Sequence, residues 1–117
     1  DVTVIAWGSM LERVVKSLEP YDAEIVDLLT LSPFDEETVL RSVAKTGRVV
    51  IVHEAPRTCG FGAELAATIA EEAILSLRGP VFRVAGPDVP VPLAKLVEHY
   101  LPDAARIRAA VEELLRY

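Results

Sequence analysis

Apolar residues fall into four short blocks along the chain, Val2–Trp7, Glu24–Leu29, Arg48–His53 and Val81–Ala85, each closed by turn-forming or charged residues. Blocks of this length and setting predict strands. Between them the spacing changes to that of helices. Leu11, Val14, Val15 and Leu18 repeat at i, i+3, i+4, i+7 behind Ser9, which suits an N-cap, and Pro20 ends the run. Asp35 caps the next helix, with Glu36 and Glu37 at its positive end, Val39, Leu40 and Val43 on the buried face, and Gly47 at the expected left-handed C-terminal position. A third helix, Phe61–Leu77, confines Glu64, Thr68, Glu71, Glu72 and Ser76 to a narrow stripe and so calls for cover on more than one face. A last helix follows Pro102 and Asp103 and carries Ile107, Val111, Leu114 and Leu115 on one side.

Strands alternating with helices predict an α/β fold with a parallel sheet sandwiched in a three-layer α/β/α arrangement. The continuously apolar Val49–Val52 and the nearly apolar Val2–Ala6 suit central strands, whereas Asp27 and Arg83 interrupt blocks better placed at edges. With right-handed crossovers the order is 2-1-3-4. The switch point then lies between strands 1 and 3, so the loops at Gly8-Ser9 and Glu54–Gly62 meet over the carboxyl end of the sheet. The prolines of Gly86–Pro92 forbid regular structure and predict an extended surface crossing.

Composition narrows the partners. With 117 residues, 51% of them hydrophobic, the chain fills one core, so residues 1–117 are expected to form a single domain. Twelve Lys and Arg against eighteen Asp and Glu give a net charge of -6, with no basic cluster for nucleic acid. No apolar run approaches the ~20 residues of a membrane span. The expected location is the cytoplasm, or the mitochondrial matrix in a eukaryote. A lone Cys59 offers no disulfide and no metal site by itself. Because the chain opens directly on a strand, it reads as a piece of something longer.

Candidate chemistry concentrates in His53–Gly62, at the end of a central strand. Gly60-Phe61-Gly62 turns into a helix N-terminus, a geometry able to cradle an anion, but Leu65 stands where a dinucleotide fingerprint has its third glycine, and a close structural turn is the simpler reading. His53 and Cys59 are possible as base and nucleophile, yet no third group orients them, and structural roles are preferred for both. Glu54 is the stronger polar candidate for fixing a loop or a partner. Trp7 is expected to pack beneath the Gly8-Ser9 turn. His99-Tyr100 reads as a partly exposed helix end. The stripe Leu29, Leu31, Pro33 and Phe34 is apolar enough to be either core or partner surface. The candidate ligand or interface loop thus comprises Gly8, Ser9, His53, Glu54, Arg57, Thr58, Gly60 and Gly62, which in a second reading form a regulatory small-molecule or anion site. A third reading, an autonomous enzyme, uses His53, Glu54 and Cys59.

An ordered series of segments resembles a known family. Asp1–Met10, Val26–Asp35, Ser42–Arg48 and Val52-His53-Glu54-Ala55-Pro56-Arg57-Thr58 running into Gly60-Phe61-Gly62-Ala63-Glu64 resemble the C-terminal transketolase-like domain of 2-oxo acid dehydrogenase beta subunits. His53-Glu54-Ala55-Pro56 and the final Leu115-Arg116-Tyr117 are more similar to the branched-chain (2-oxoisovalerate) type than to the pyruvate type.

The resemblance implies an assembly domain of an oxidoreductase, inactive alone. Thiamine diphosphate and magnesium would be held by other domains of the intact α2β2 enzyme. It implies an alpha subunit and a second beta subunit as partners, and a dock near Tyr117 for the subunit-binding domain of the dihydrolipoyl acyltransferase. It also implies an antiparallel strand upstream, whose absence leaves Glu24–Leu29 with an open edge. Leu29 departs from the family's usual arginine and removes any ion pair expected there.

Overall fold

The computed structural model describes residues 1–117, apart from the side chain of Ala94. Four strands, β1 (Val2–Ala6), β2 (Ala23–Asp27), β3 (Val49–Pro56) and β4 (Phe82–Gly86), form one parallel sheet in the order β2-β1-β3-β4. The helices are α1 (Met10–Leu18), α2 (Glu36–Thr46), α3 (Phe61–Ala73), α4 (Val97–Tyr100) and α5 (Ala104–Leu114), with single 3-10 turns at Ile74–Ser76 and Ala94–Leu96. Among the described residues no helix is long and apolar enough to cross a membrane.

Period-two alternation divides the central strands between two cores. Val2, Val4 and Ala6 of β1, with Val50 and Val52 of β3, face Met10, Val14 and Leu18 of α1 and Ile107, Val111 and Leu114 of α5. Ile5, Val49 and Ile51 face the other way, onto Val39 and Val43 of α2 and Leu65 and Ile69 of α3. Each fully buried aliphatic side chain contributes about 1.5–3 kcal/mol relative to exposure, so the two layers stabilise the sheet from both sides. That is the three-layer arrangement expected, with β2 and β4 at the edges.

Several boundaries differ from the expectation. Trp7 lies beyond β1, and β3 runs on to Pro56 through an irregularity between Val52 and Pro56. The third helix ends at Ala73 and only a 3-10 turn carries it to Ser76. Within this chain α3 is covered along one face, through Gly62, Leu65, Ile69 and Ala73, leaving Ile74 and Leu75 bare beyond its end. Ser9 makes no side-chain cap for α1 because its hydroxyl is engaged elsewhere.

Other signals match in detail. Asp35 accepts from the Thr38 amide at 3.0 Å, and Gly47, at φ 70°, donates its amide to the Val43 carbonyl. Asp103 caps α5 through the Arg106 amide. The proline-rich segment has no regular structure from Pro87 to Leu93, and the short α4 beyond it supplies the helix end expected at His99-Tyr100. That end is partly exposed, as expected: His99 is exposed, while Tyr100 is buried.

Candidate functional site

The loops after β1 and β3 meet over the carboxyl end of the sheet. Gly8 takes a left-handed conformation, φ 59°, that aims Ser9 across the switch point, where its hydroxyl donates to the Glu54 carboxylate. Both residues are exposed, so this contact joins two loops at the surface. Below it, His53 is completely buried. Its ring stacks on Trp7 at 5.3 Å between centroids and 9° between planes, and Trp7 in turn meets Phe61 edge-on.

The His53 imidazole and the Pro56 carbonyl together explain the glycine pair. A Cβ on Gly62 would overlap the imidazole at Nε2, and one on Gly60 would overlap the Pro56 carbonyl oxygen and come within 2.9 Å of Cε1 of the ring. Glycine at both positions lets α3 begin directly against the ring, as a close structural turn requires. The turn is therefore filled from beneath by a side chain. Burial pushes the His53 pKa below its ordinary value, and the positive charge of Arg83 pushes it in the same direction, outweighing an opposing effect of the nearby Ala55 backbone, which lies short of hydrogen-bond geometry. Among the described residues neither ring nitrogen has a hydrogen-bond partner.

The remainder of the loop is strapped to the segment after β4. The Thr58 amide and hydroxyl donate to the two Asp88 carboxylate oxygens at 2.8 and 2.7 Å. These bonds hold the Asp88 pKa below the usual carboxylate value, the hydroxyl contributing most. Arg57 donates its amide to the Gly86 carbonyl and its guanidinium to the Arg83 carbonyl, while Arg83 donates back to the Arg57 carbonyl.

Cys59, between them, is exposed with φ 57°, so it is neither a buried packing residue nor a partner of the enclosed His53. All eight loop candidates join contacts within the chain, Gly8 by accepting from the Leu11 amide in the turn that presents Ser9. Tyr117 lies apart at the chain end and is 60% exposed. Sequence reasoning missed Asp88, Arg83 and Arg106; Asp88 alone left a signal, as the polar residue inside a proline-rich crossing.

Residues 1–107 match the family described as transketolase, C-terminal domain. The chain belongs to that family. The beta subunit of the pyruvate dehydrogenase E1 component of Leifsonia xyli is 46% identical over 100% of this transketolase C-terminal domain and 36% of the relative. The mitochondrial 2-oxoisovalerate dehydrogenase subunit beta of Dictyostelium discoideum is 40% identical over 100% of the domain and 33% of the relative. A Mycobacterium tuberculosis 3-methyl-2-oxobutanoate dehydrogenase subunit beta is 39% identical over 99% and 35%. A solved split-gene transketolase, described as an inactive beta4 tetramer, superposes with a TM-score of 0.83 at 31% identity, over 99% of this domain and 39% of that chain. The domain thus spans about a third of the length of these relatives.

The domain's own side chains are a poor fit for thiamine diphosphate and magnesium. Among the described residues no three His, Cys, Asp or Glu side chains gather to hold a metal ion. The Gly60–Gly62 turn, the geometry best suited to a diphosphate, is occupied by the His53 ring.

Proposed function

We propose that this transketolase C-terminal domain is the assembly domain of a thiamine-diphosphate-dependent 2-oxo acid dehydrogenase beta subunit of the branched-chain type. It packs against an alpha subunit and a second beta subunit in an α2β2 enzyme, and contributes the surface near Tyr117 to the dock for the dihydrolipoyl acyltransferase. Cofactor and magnesium are held by other domains, and the domain alone is inactive. The observation that carries this reading is the alignment of essentially the whole chain with about a third of several dehydrogenase beta subunits.

Surface chemistry supports an assembly role. Leu75 is 99% exposed and Leu93 88%, with Ile74 and Leu96 also largely bare. Large aliphatic side chains presented this fully suit a partner surface better than solvent. The branched-chain preference rests on His53-Glu54-Ala55-Pro56 and the Leu115-Arg116-Tyr117 end. In a eukaryote the location is the mitochondrial matrix, as in the mitochondrial Dictyostelium and Arabidopsis relatives, and otherwise the cytoplasm.

Leu75→Asp combined with Leu93→Asp in the full beta subunit tests the reading. The expected outcome is loss of the heterotetramer in size-exclusion chromatography with light scattering, at an unchanged thermal midpoint of the beta chain alone, because exposed substitutions shift stability by only about ±0.5 kcal/mol. Undiminished heterotetramer in the double variant contradicts the reading. Faster turnover of pyruvate than of 3-methyl-2-oxobutanoate by the assembled enzyme contradicts its branched-chain part.

A further inference from the structure

Between the outer edge of β4 and helix α5 lies an open groove of about 430 Å³, lined by Arg57, Arg83, Arg106 and Glu113 beside the apolar Phe82 and Ala110. The three guanidinium groups are anchored by backbone carbonyls rather than carboxylates. Arg57 donates to the Arg83 carbonyl at 2.8 Å, Arg83 to the Arg57 carbonyl at 3.0 Å, and Arg106 to the Ala85 carbonyl at 2.6 Å. None of them enters an ion pair among the described residues. In a chain of net charge -6, three unneutralised guanidiniums in one groove are a local reversal of sign.

Strand geometry explains the anchoring. Carbonyls alternate in direction along a strand, and Gly86 accepts from the Arg57 amide on the β3 side, so the Arg83 and Ala85 carbonyls face outward. Arg57 and Arg106 cap that unpaired edge, which protects it from further strand pairing. Capping uses one donor from each group. A guanidinium carries five in a planar fork, so each retains donors while its orientation is fixed.

We propose that this groove binds a phosphate monoester. Three guanidinium charges against Glu113, which lines the groove, and Asp88, which lies beside Arg57 but is engaged by Thr58, leave a net positive charge for the roughly -1.5 to -2 of a phosphomonoester near neutral pH. Fork-shaped donors suit its three terminal oxygens. The apolar flank of Phe82 and Ala110 gives the ester group a surface that inorganic phosphate would leave unused. This inference is independent of the assembly role, since it rests on groups outside the bare aliphatic surface.

Isothermal titration calorimetry of the full chain at low ionic strength, with phenyl phosphate and with inorganic phosphate, tests it. Saturable binding of phenyl phosphate, at least as tight as that of inorganic phosphate, is expected. Arg106→Gln should weaken it about tenfold, the loss of one charge-assisted hydrogen bond. Glu113→Gln, at a side chain that makes no hydrogen bond among the described residues, should tighten binding severalfold and keeps the test decisive if Arg106→Gln fails to fold. Arg116→Gln, outside the groove, should leave affinity unchanged. Absence of saturable binding, binding of inorganic phosphate alone, or affinity indifferent to Glu113→Gln would overturn the proposal.

Discussion

A buried imidazole with two unpartnered nitrogens is costly, because each polar group left without a hydrogen bond retains its desolvation penalty. At His53 the ring is nonetheless held between Trp7 and the glycines that open α3. Alanine in place of a helical glycine ordinarily stabilises by about 0.5–1 kcal/mol. At Gly62 the sign should reverse, with a cost of about 1–3 kcal/mol from the overlap with the imidazole. Denaturant unfolding of Gly62→Ala, His53→Ala and the pair measures this: the alanine at Gly62 should be far less harmful once His53 is gone, and equal effects in both backgrounds would refute the packing account. Protonation provides a second check. The folded His53 pKa lies below the ordinary value of about 6.5, so the unfolded chain takes up the proton first as pH falls. Stability contributed by neutral His53 is complete above that value and is lost as pH falls through the folded pKa. The thermal midpoint should therefore drop more steeply over this window in the native chain than in His53→Asn, and parallel curves would contradict it. From the sequence, His53 is expected at a strand end, whereas β3 runs three residues past it, and its burial could not be foreseen, since that depends on Trp7 and Phe61 arriving from other elements.

Elements were legible where local chemistry decides them. Asp35 and Gly47 delimit α2 through their own cap hydrogen bonds, so the pattern Asp-Glu-Glu with a later glycine suffices. Ser9 misled because a serine before a helix can cap it or reach elsewhere, and here Glu54 arrives from β3 to take the hydroxyl. The join between α2 and β1 was equally hidden. Thr3, fully buried in a central strand, shares 2.8 Å hydrogen bonds with the Ser42 and Thr46 hydroxyls and donates to the Ser42 carbonyl. Thr3→Val keeps the shape but removes the shared partner of two buried hydroxyls. A loss of about 1–3 kcal/mol is expected by chemical denaturation, and a neutral substitution would show that water or each other satisfies them. Only the end of α4, at His99-Tyr100, was legible, because four residues are too few to show a helical period and so to mark where it begins.

At the scale of the molecule, strand order followed from hydrophobicity together with the right-handed crossover rule. Strands buried on both faces read as continuous apolar runs and take the centre, while Asp27 and Arg83 mark the edges. What the sequence left open was the surface: which apolar residues the chain covers itself and which it leaves for others. Leu31 and Phe34 pack onto the α3 layer, whereas Leu29, Leu75 and Leu93 remain bare, and only the assembled fold separates the two groups. The central claim, that the bare set is completed by other subunits, is tested most directly by hydrogen–deuterium exchange of the full beta subunit with and without alpha subunit. Slower exchange across residues 74–77 and 93–97 on assembly is the predicted result; exchange there that is the same in both states would contradict an assembly role.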